Sequence, residues 1–148
     1  MTDPALPAVE ARDLRALAAA IVPASAQYGV PGADDEKIFA DILASLGRDR
    51  DDVRTALSRL AVLSGSSFAD LPLARRTEVA ATLRAESGSA LAALVRVVLL
   101  CYYRDDRVMR SLGQEPRPPF PKGHVVEQGD WSLLDPVRAR PPIWRRVV

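Results

Sequence analysis

Proline is distributed unevenly along this chain, and its placement restricts the folds that the sequence can adopt. Seven of the twelve prolines lie in residues 113–148, and the other five are spread over residues 1–112. A proline inside a helix removes a backbone donor and clashes with the preceding turn, and in a central strand it removes a ladder hydrogen bond. We therefore predict a domain with regular secondary structure over residues 1–112 and an extended arm without helix over residues 113–148.

Residues 1–112 contain apolar side chains at helical spacing, interrupted by proline and glycine. Four patterns that each end at a proline or a glycine cover residues 10–22, 34–47, 48–65 and 68–88. In the fourth, Asp70 is the expected cap and Pro72 suits the first turn. A fifth pattern, from Ser89 to Tyr103, is apolar almost all round, which predicts the most buried helix. A short helical turn is expected to follow in the sequence DDRVMRSLG.

Sustained alternation of apolar and polar residues, the signature of half-buried strands, is missing from residues 1–112. The sequence therefore predicts an all-α fold, a small helical bundle of about five helices with an extended proline-rich C-terminal arm. A formal net charge of +1 and an apolar content of 48% are typical of an ordinary globular protein, and they identify no partner.

Residue types that bind cofactors or perform catalysis are sparse. The eight glycines never form the G-x-G of a phosphate-binding turn, and Cys101 and His124 are the single cysteine and histidine. One cysteine and one histidine do not supply the four ligands of a typical zinc site. Cys101 lies in an apolar helical pattern, which predicts a buried and unreactive thiol. We expect no cofactor, metal or catalytic residue in this chain.

Carboxylates cluster in two motifs, RDRDD at residues 48–52 and YYRDDR at residues 102–107. Paired carboxylates can act as acid and base or bind a hard cation. Both motifs stand at predicted helix starts among arginines, where acidic residues commonly cap helices and form solvated ion pairs. We favour the capping role for both motifs.

The N-terminal residues show no export signal, because acids and prolines stand where a secretory signal has a basic start. The most apolar run, LAALVRVVLLCYY, is shorter than the roughly 20 residues needed to span a bilayer, and Arg96 interrupts it. These features predict a cytoplasmic protein without a membrane span, although export together with a signal-bearing partner stays open.

The arm combines large apolar side chains with six basic and four acidic residues. Arginine and tryptophan together can track and stack on a nucleic acid, but the interleaved acids weaken this interpretation. Disordered tails are normally poor in aromatic and aliphatic residues, so an arm that docks on a partner protein fits better. The expected partner-binding residues are Tyr102, Tyr103, Phe120, Trp131, Arg138, Arg140 and Trp144.

Four blocks carry a resemblance to a known family. They are LRALAAAIVPAS (residues 14–25), VPGADDEKIFADIL (30–43), FADLPLARRTEVAATLR (68–84) and VVLLCYYRDDRVMRSLG (97–113). In this order, and with the tyrosine pair followed by an acid, they resemble the gluconate 2-dehydrogenase subunit 3 family. Its members are small subunits that accompany flavin-dependent dehydrogenases of the GMC (glucose–methanol–choline) type.

The resemblance implies a non-catalytic helical subunit that binds a large FAD-containing chain oxidising an alcohol or a sugar hydroxyl. FAD and the catalytic base would belong to that large subunit. Two other interpretations stay open. The chain could be a free-standing helical adaptor that binds an unrelated protein through its arm, or a small enzyme acting through Tyr102, Asp105 or His124.

Overall fold

A computed structural model describes residues 6–118, 120, 122–123, 125 and 127–141 of the chain. The chain divides into two compact units, Met1–Pro116 and Arg117–Val148. The described residues form helices and turns, and they contain no β-strand beyond one isolated bridge between Ser25 and Val30. The all-α prediction is therefore confirmed.

The described residues of the first unit form six α-helices. They are α1 (Ala8–Ile21), α2 (Glu36–Ala44), α3 (Arg50–Ser64), α4 (Leu73–Glu86), α5 (Ser89–Arg104) and α6 (Asp106–Ser111). Short 3₁₀ turns precede α3 at Gly47–Asp49 and α4 at Phe68–Asp70. Helix α5 packs against α2 and α3, and α4 packs against α1 and α3, so α3 and α5 form the centre of the bundle.

Some helix ends follow the capping signals in the sequence, whereas Asp49 of the RDRDD motif forms no side-chain cap of α3. Asp35 caps α2 by accepting hydrogen bonds from the backbone N–H groups of Lys37 and Ile38. Gly65 ends α3 in the left-handed conformation, with φ of 69°, which glycine adopts without steric cost. Asp70, the expected cap of α4, does not cap it: its carboxylate forms an ion pair with Arg12, 2.5 Å away on α1.

Asp13 is one of two charged residues buried in the described part of the chain, the other being Asp105. Its Oδ1 atom accepts hydrogen bonds from Ser67 Oγ at 2.6 Å and from the backbone N–H of Ala69 at 2.9 Å. These bonds satisfy the buried carboxylate and tie α1 to the 3₁₀ turn that carries Phe68. The ring of Phe68 lies fully inside the core.

The predicted burial of α5 is only partly correct. One side faces the core through six residues: Ala93, Leu94, Val97, Val98, Cys101 and Tyr102. The opposite side is open, with Leu100 62% and Tyr103 50% exposed. Helix α5 still has the most buried residues of the described helices, as predicted. Its open side was not foreseen because an apolar sequence does not show how many neighbouring helices are available to cover it. This open side gives the bundle an apolar surface.

Candidate partner-binding site

The described residues of the second unit present apolar side chains and do not bury them in a core. Among its described residues none is buried, and all but Arg117 are exposed. The large apolar side chains are exposed by 39% to 102% of their surface; they are Phe120, Val125, Trp131, Leu133, Leu134 and Val137. Exposed apolar groups gathered in one segment are typical of a surface that binds another protein.

The arm contains a helical turn, so the prediction that residues 113–148 are free of helix is wrong over Trp131–Arg138. A 3₁₀ turn at Trp131–Leu134 continues into the single turn α7 (Asp135–Arg138). Asp130 caps the segment by accepting from the backbone N–H of Ser132 at 3.0 Å. Pro136 stands in the first turn of α7, where its missing N–H costs no helical hydrogen bond.

The predicted contact residues of the arm fall into different environments. Trp131 is 59% and Phe120 84% exposed, so both rings are available for contacts. Arg138 forms an exposed ion pair with Asp135 at 3.2 Å, and Arg140 is also exposed. Trp144 lies outside the described residues.

The tyrosine pair is divided between the core and the surface. The rings of Tyr102 and Tyr103 lie edge to face, with centroids 5.2 Å apart and an angle of 84° between their planes. Tyr102 is 5% exposed, and burial raises the pKa of its hydroxyl. The ring of Tyr102 packs the bundle and leaves little surface for a direct contact, so its place among the contact residues stays a prediction. Tyr103 has the exposure that a contact residue needs.

The acidic residues of YYRDDR serve the helix ends. Asp105 caps α6 by accepting from the backbone N–H of Arg107 at 2.9 Å, and it also accepts from Arg107 Nε at 2.9 Å. The same guanidinium donates to Asp35, the cap of α2, at 2.6 Å. Lys37 Nζ lies 3.7 Å from Asp105. One arginine thus joins the N-termini of two helices.

Hydrogen bonds from the Arg107 side chain lower the pKa of Asp105 from 3.8 to about 2, and they also lower the pKa of Asp35. A carboxylate that is held ionised in this way is a poor proton donor or acceptor near neutral pH. The motif is thus explained by capping, as the sequence indicated.

We expect Asp105→Asn to lower the free energy of unfolding at pH 7 by about 2 kcal/mol, because the charge-assisted bonds to Arg107 are lost. Asp105 has a lowered pKa in the folded state, so its stabilisation is present above pH 3.8 and is lost as the pH falls towards 2. Urea unfolding of both proteins should give free energies that converge over this acid range.

Asp106→Asn is the matched control, because Asp106 is the exposed neighbour and pairs with Arg110 at a distance of 3.4 Å. It should change the free energy of unfolding by less than about 0.5 kcal/mol at either pH. Equal effects of the two substitutions would contradict the capping role of Asp105.

Cys101 is 1% exposed, and burial raises the pKa of its thiol, as expected for an unreactive core cysteine. The described residues contain no cluster of three or more histidine, cysteine or acidic side chains placed to hold a metal ion. In that same part of the chain, no single helix has the length and apolar character needed to cross a bilayer.

Sequence reasoning missed a shallow apolar depression along the open side of α5. Its lining consists of Ala92, Val95, Arg96, Leu99, Leu100, Tyr103 and Arg104. Arg96 pairs with Asp49 at 2.5 Å, and Arg104 binds Asp41 through contacts of 2.6 to 3.0 Å. Arg96, Leu100 and Arg104 are spaced four residues apart and so share one helix face. That arginine spacing was the sequence signal for an open side.

Comparison of the chain with known protein families, with curated protein sequences and with solved structures gives no match.

Proposed function

We propose that this chain is a non-catalytic small subunit of a flavin-dependent GMC-type dehydrogenase, and that it binds and stabilises the FAD-containing large subunit. The observation that carries the proposal is the arm, whose described apolar side chains are all exposed. Exposed tryptophan and leucine in one segment cost free energy in water, and a partner surface removes that cost. The resemblance of four sequence blocks to the gluconate 2-dehydrogenase subunit 3 family supplies the kind of partner.

In this proposal the large subunit performs catalysis and this chain provides binding surfaces. The large subunit contributes the flavin, the catalytic base and the pocket for an alcohol or a sugar. This chain contributes a bundle with an open side on α5 and an arm that presents Phe120 and Trp131. Tyr103 on α5 adds an exposed aromatic side chain from the bundle. Binding to the native large subunit stabilises it by mass action.

The proposal is tested by isolating the chain with a small affinity tag from its native host under mild conditions. We expect a large protein to elute with it in a fixed ratio, with a flavin absorption band and with alcohol or sugar dehydrogenase activity. The tagged chain expressed alone should lack that band. A colourless partner would support the free-standing adaptor, and flavin or activity in the isolated chain would contradict the non-catalytic role.

A further inference from the structure

The bundle has a second apolar surface, a groove bordered by α1, α4 and α5 with a volume of about 680 Å³. Alanines line much of it, so the groove is concave, and apolar side chains such as Ile21, Leu73 and Leu91 form its walls. Leu73 is 74% exposed. Val95 borders both this groove and the depression along α5, so the two apolar surfaces are continuous.

The charges of the groove have one sign. Its fifteen lining residues include Arg76 and Arg84 and no carboxylate. The Arg76 side chain donates to the backbone oxygen of Leu71 and has no acidic partner among the described residues. No hydrogen bond or ion pair of the Arg84 side chain is found within the described part of the chain. Other arginines of the bundle, such as Arg59 and Arg104, bind carboxylates.

We propose that this groove receives an amphipathic segment of the large subunit that carries apolar side chains and, beside them, carboxylates for Arg76 and Arg84. This inference rests on the proposed function, because it assigns the segment to the large subunit. An apolar groove with charged side chains at its border is the usual receptor for such a segment, which places its apolar face inside. The carboxylates fix its orientation and favour association at low salt.

Two other occupants fit the charges less well. The arm of this chain has six basic and four acidic residues, so its net charge has the same sign as that of the groove. A symmetric contact between two copies through this surface would bring the same arginines of both chains together. Like charges at an interface oppose association, which leaves an acidic segment of another protein as the complementary partner.

Two threonines of α4 provide a matched pair of probe positions. Thr77 lines the groove, whereas Thr82 is not part of its lining. Both are exposed, and each hydroxyl donates to the backbone oxygen four residues earlier at 3.0 Å. The photo-crosslinking amino acid p-benzoylphenylalanine is placed at each position in the full chain, and the proteins are irradiated in the native host. Cross-linked peptides are identified by mass spectrometry.

We expect position 77 to cross-link to a segment of the flavin-containing protein that has apolar residues at helical spacing and flanking Asp or Glu. Position 82 should give no such product. Cross-linking of position 77 to residues 117–148 of this chain, to a second copy, to lipid or to nothing would overturn the proposal. If flavin is recovered without this cross-link, the groove assignment fails and the proposed function stands. If the acidic segment belongs to a protein without flavin, the proposed large subunit is wrong.

Arginine variants measure the charge complementarity directly. We expect Arg84→Gln to raise the Kd for the isolated flavoprotein about fivefold or more and to weaken its salt dependence. Arg75→Gln is the control on the same helix, since Arg75 lies outside the groove lining and pairs with Glu78 at 2.8 Å in an exposed position. It removes the same charge and should change Kd by less than about twofold. Equal effects of the two variants would contradict the role of Arg84.

Discussion

Removal of residues 128–148 is expected to leave the bundle folded and to weaken binding to the large subunit by about a hundredfold or more. The deletion takes away Trp131, which is 59% exposed, together with Leu133, Leu134 and Val137. Helices α1 to α6 all lie in the first unit and are untouched by the deletion. Circular dichroism should show little loss of helix, and titration with the isolated flavoprotein should give the change in Kd.

Single substitutions test whether tryptophan anchors the arm. Trp131→Ala and Trp144→Ala should each cost about 2 kcal/mol or more of binding, since tryptophan is the residue most enriched among interface hot spots. The control is Val62→Ala on α3, which shortens an apolar side chain that is 69% exposed on the bundle. It should leave Kd almost unchanged. A truncated chain that binds as tightly as the full chain would show that the arm is not the docking element.

Phe68→Ala is expected to lower the free energy of unfolding by about 3–5 kcal/mol, the usual cost of removing a buried aromatic ring. Phe68 is fully buried and belongs to the short 3₁₀ turn that Asp13 binds through Ala69. The turn packs against α1 and α3, so loss of the buried ring leaves a cavity in the core beside these helices. Urea or thermal unfolding of the purified variant measures the effect.

Phe120→Ala is the matched control, because it removes the same ring from a position that is 84% exposed. It should change the free energy of unfolding by less than about 0.5 kcal/mol. A small effect of Phe68→Ala would mean that the turn before α4 can be repacked and does not close the core. A large effect of Phe120→Ala on unfolding would mean that the ring stabilises the folded chain.

The helix order and most helix ends were predictable from the sequence because they depend on local chemistry. Gly65 ends α3 through its backbone freedom, and Gly88 is the N-cap residue of α5. Asp35 and Asp105 cap their helices through bonds to residues two or three positions away. Most described residues of the arm are exposed, which suits an arm that docks on a partner, but the helical turn was missed. The prediction used the number of prolines and did not consider their positions. Pro136 lies in the first turn of α7, where a helix tolerates proline.

The candidate surfaces were less predictable because they depend on which helices meet. The apolar sequence of α5 would be the same whether two or four neighbouring helices cover it. Only Arg96 and Arg104, which form ion pairs, indicate that one side is open. Asp13 gave no signal, since its partners Ser67 and Ala69 lie more than fifty residues away. The groove also depends on the contact between α1 and α4, and the spacing of residues within either helix does not predict that contact.

Arg107 bridges Asp35 and Asp105 and so fixes the end of the bundle from which the arm begins. Helix α6 has six residues, too few to be stable alone, and this bridge fastens it to the start of α2. The chain therefore leaves the bundle from a fixed point. In the proposed complex, occupation of the groove would hold the arm near its own site on the large subunit, at an effective concentration on the order of millimolar. Two contacts of modest strength would then hold the proposed subunits together as firmly as one strong contact.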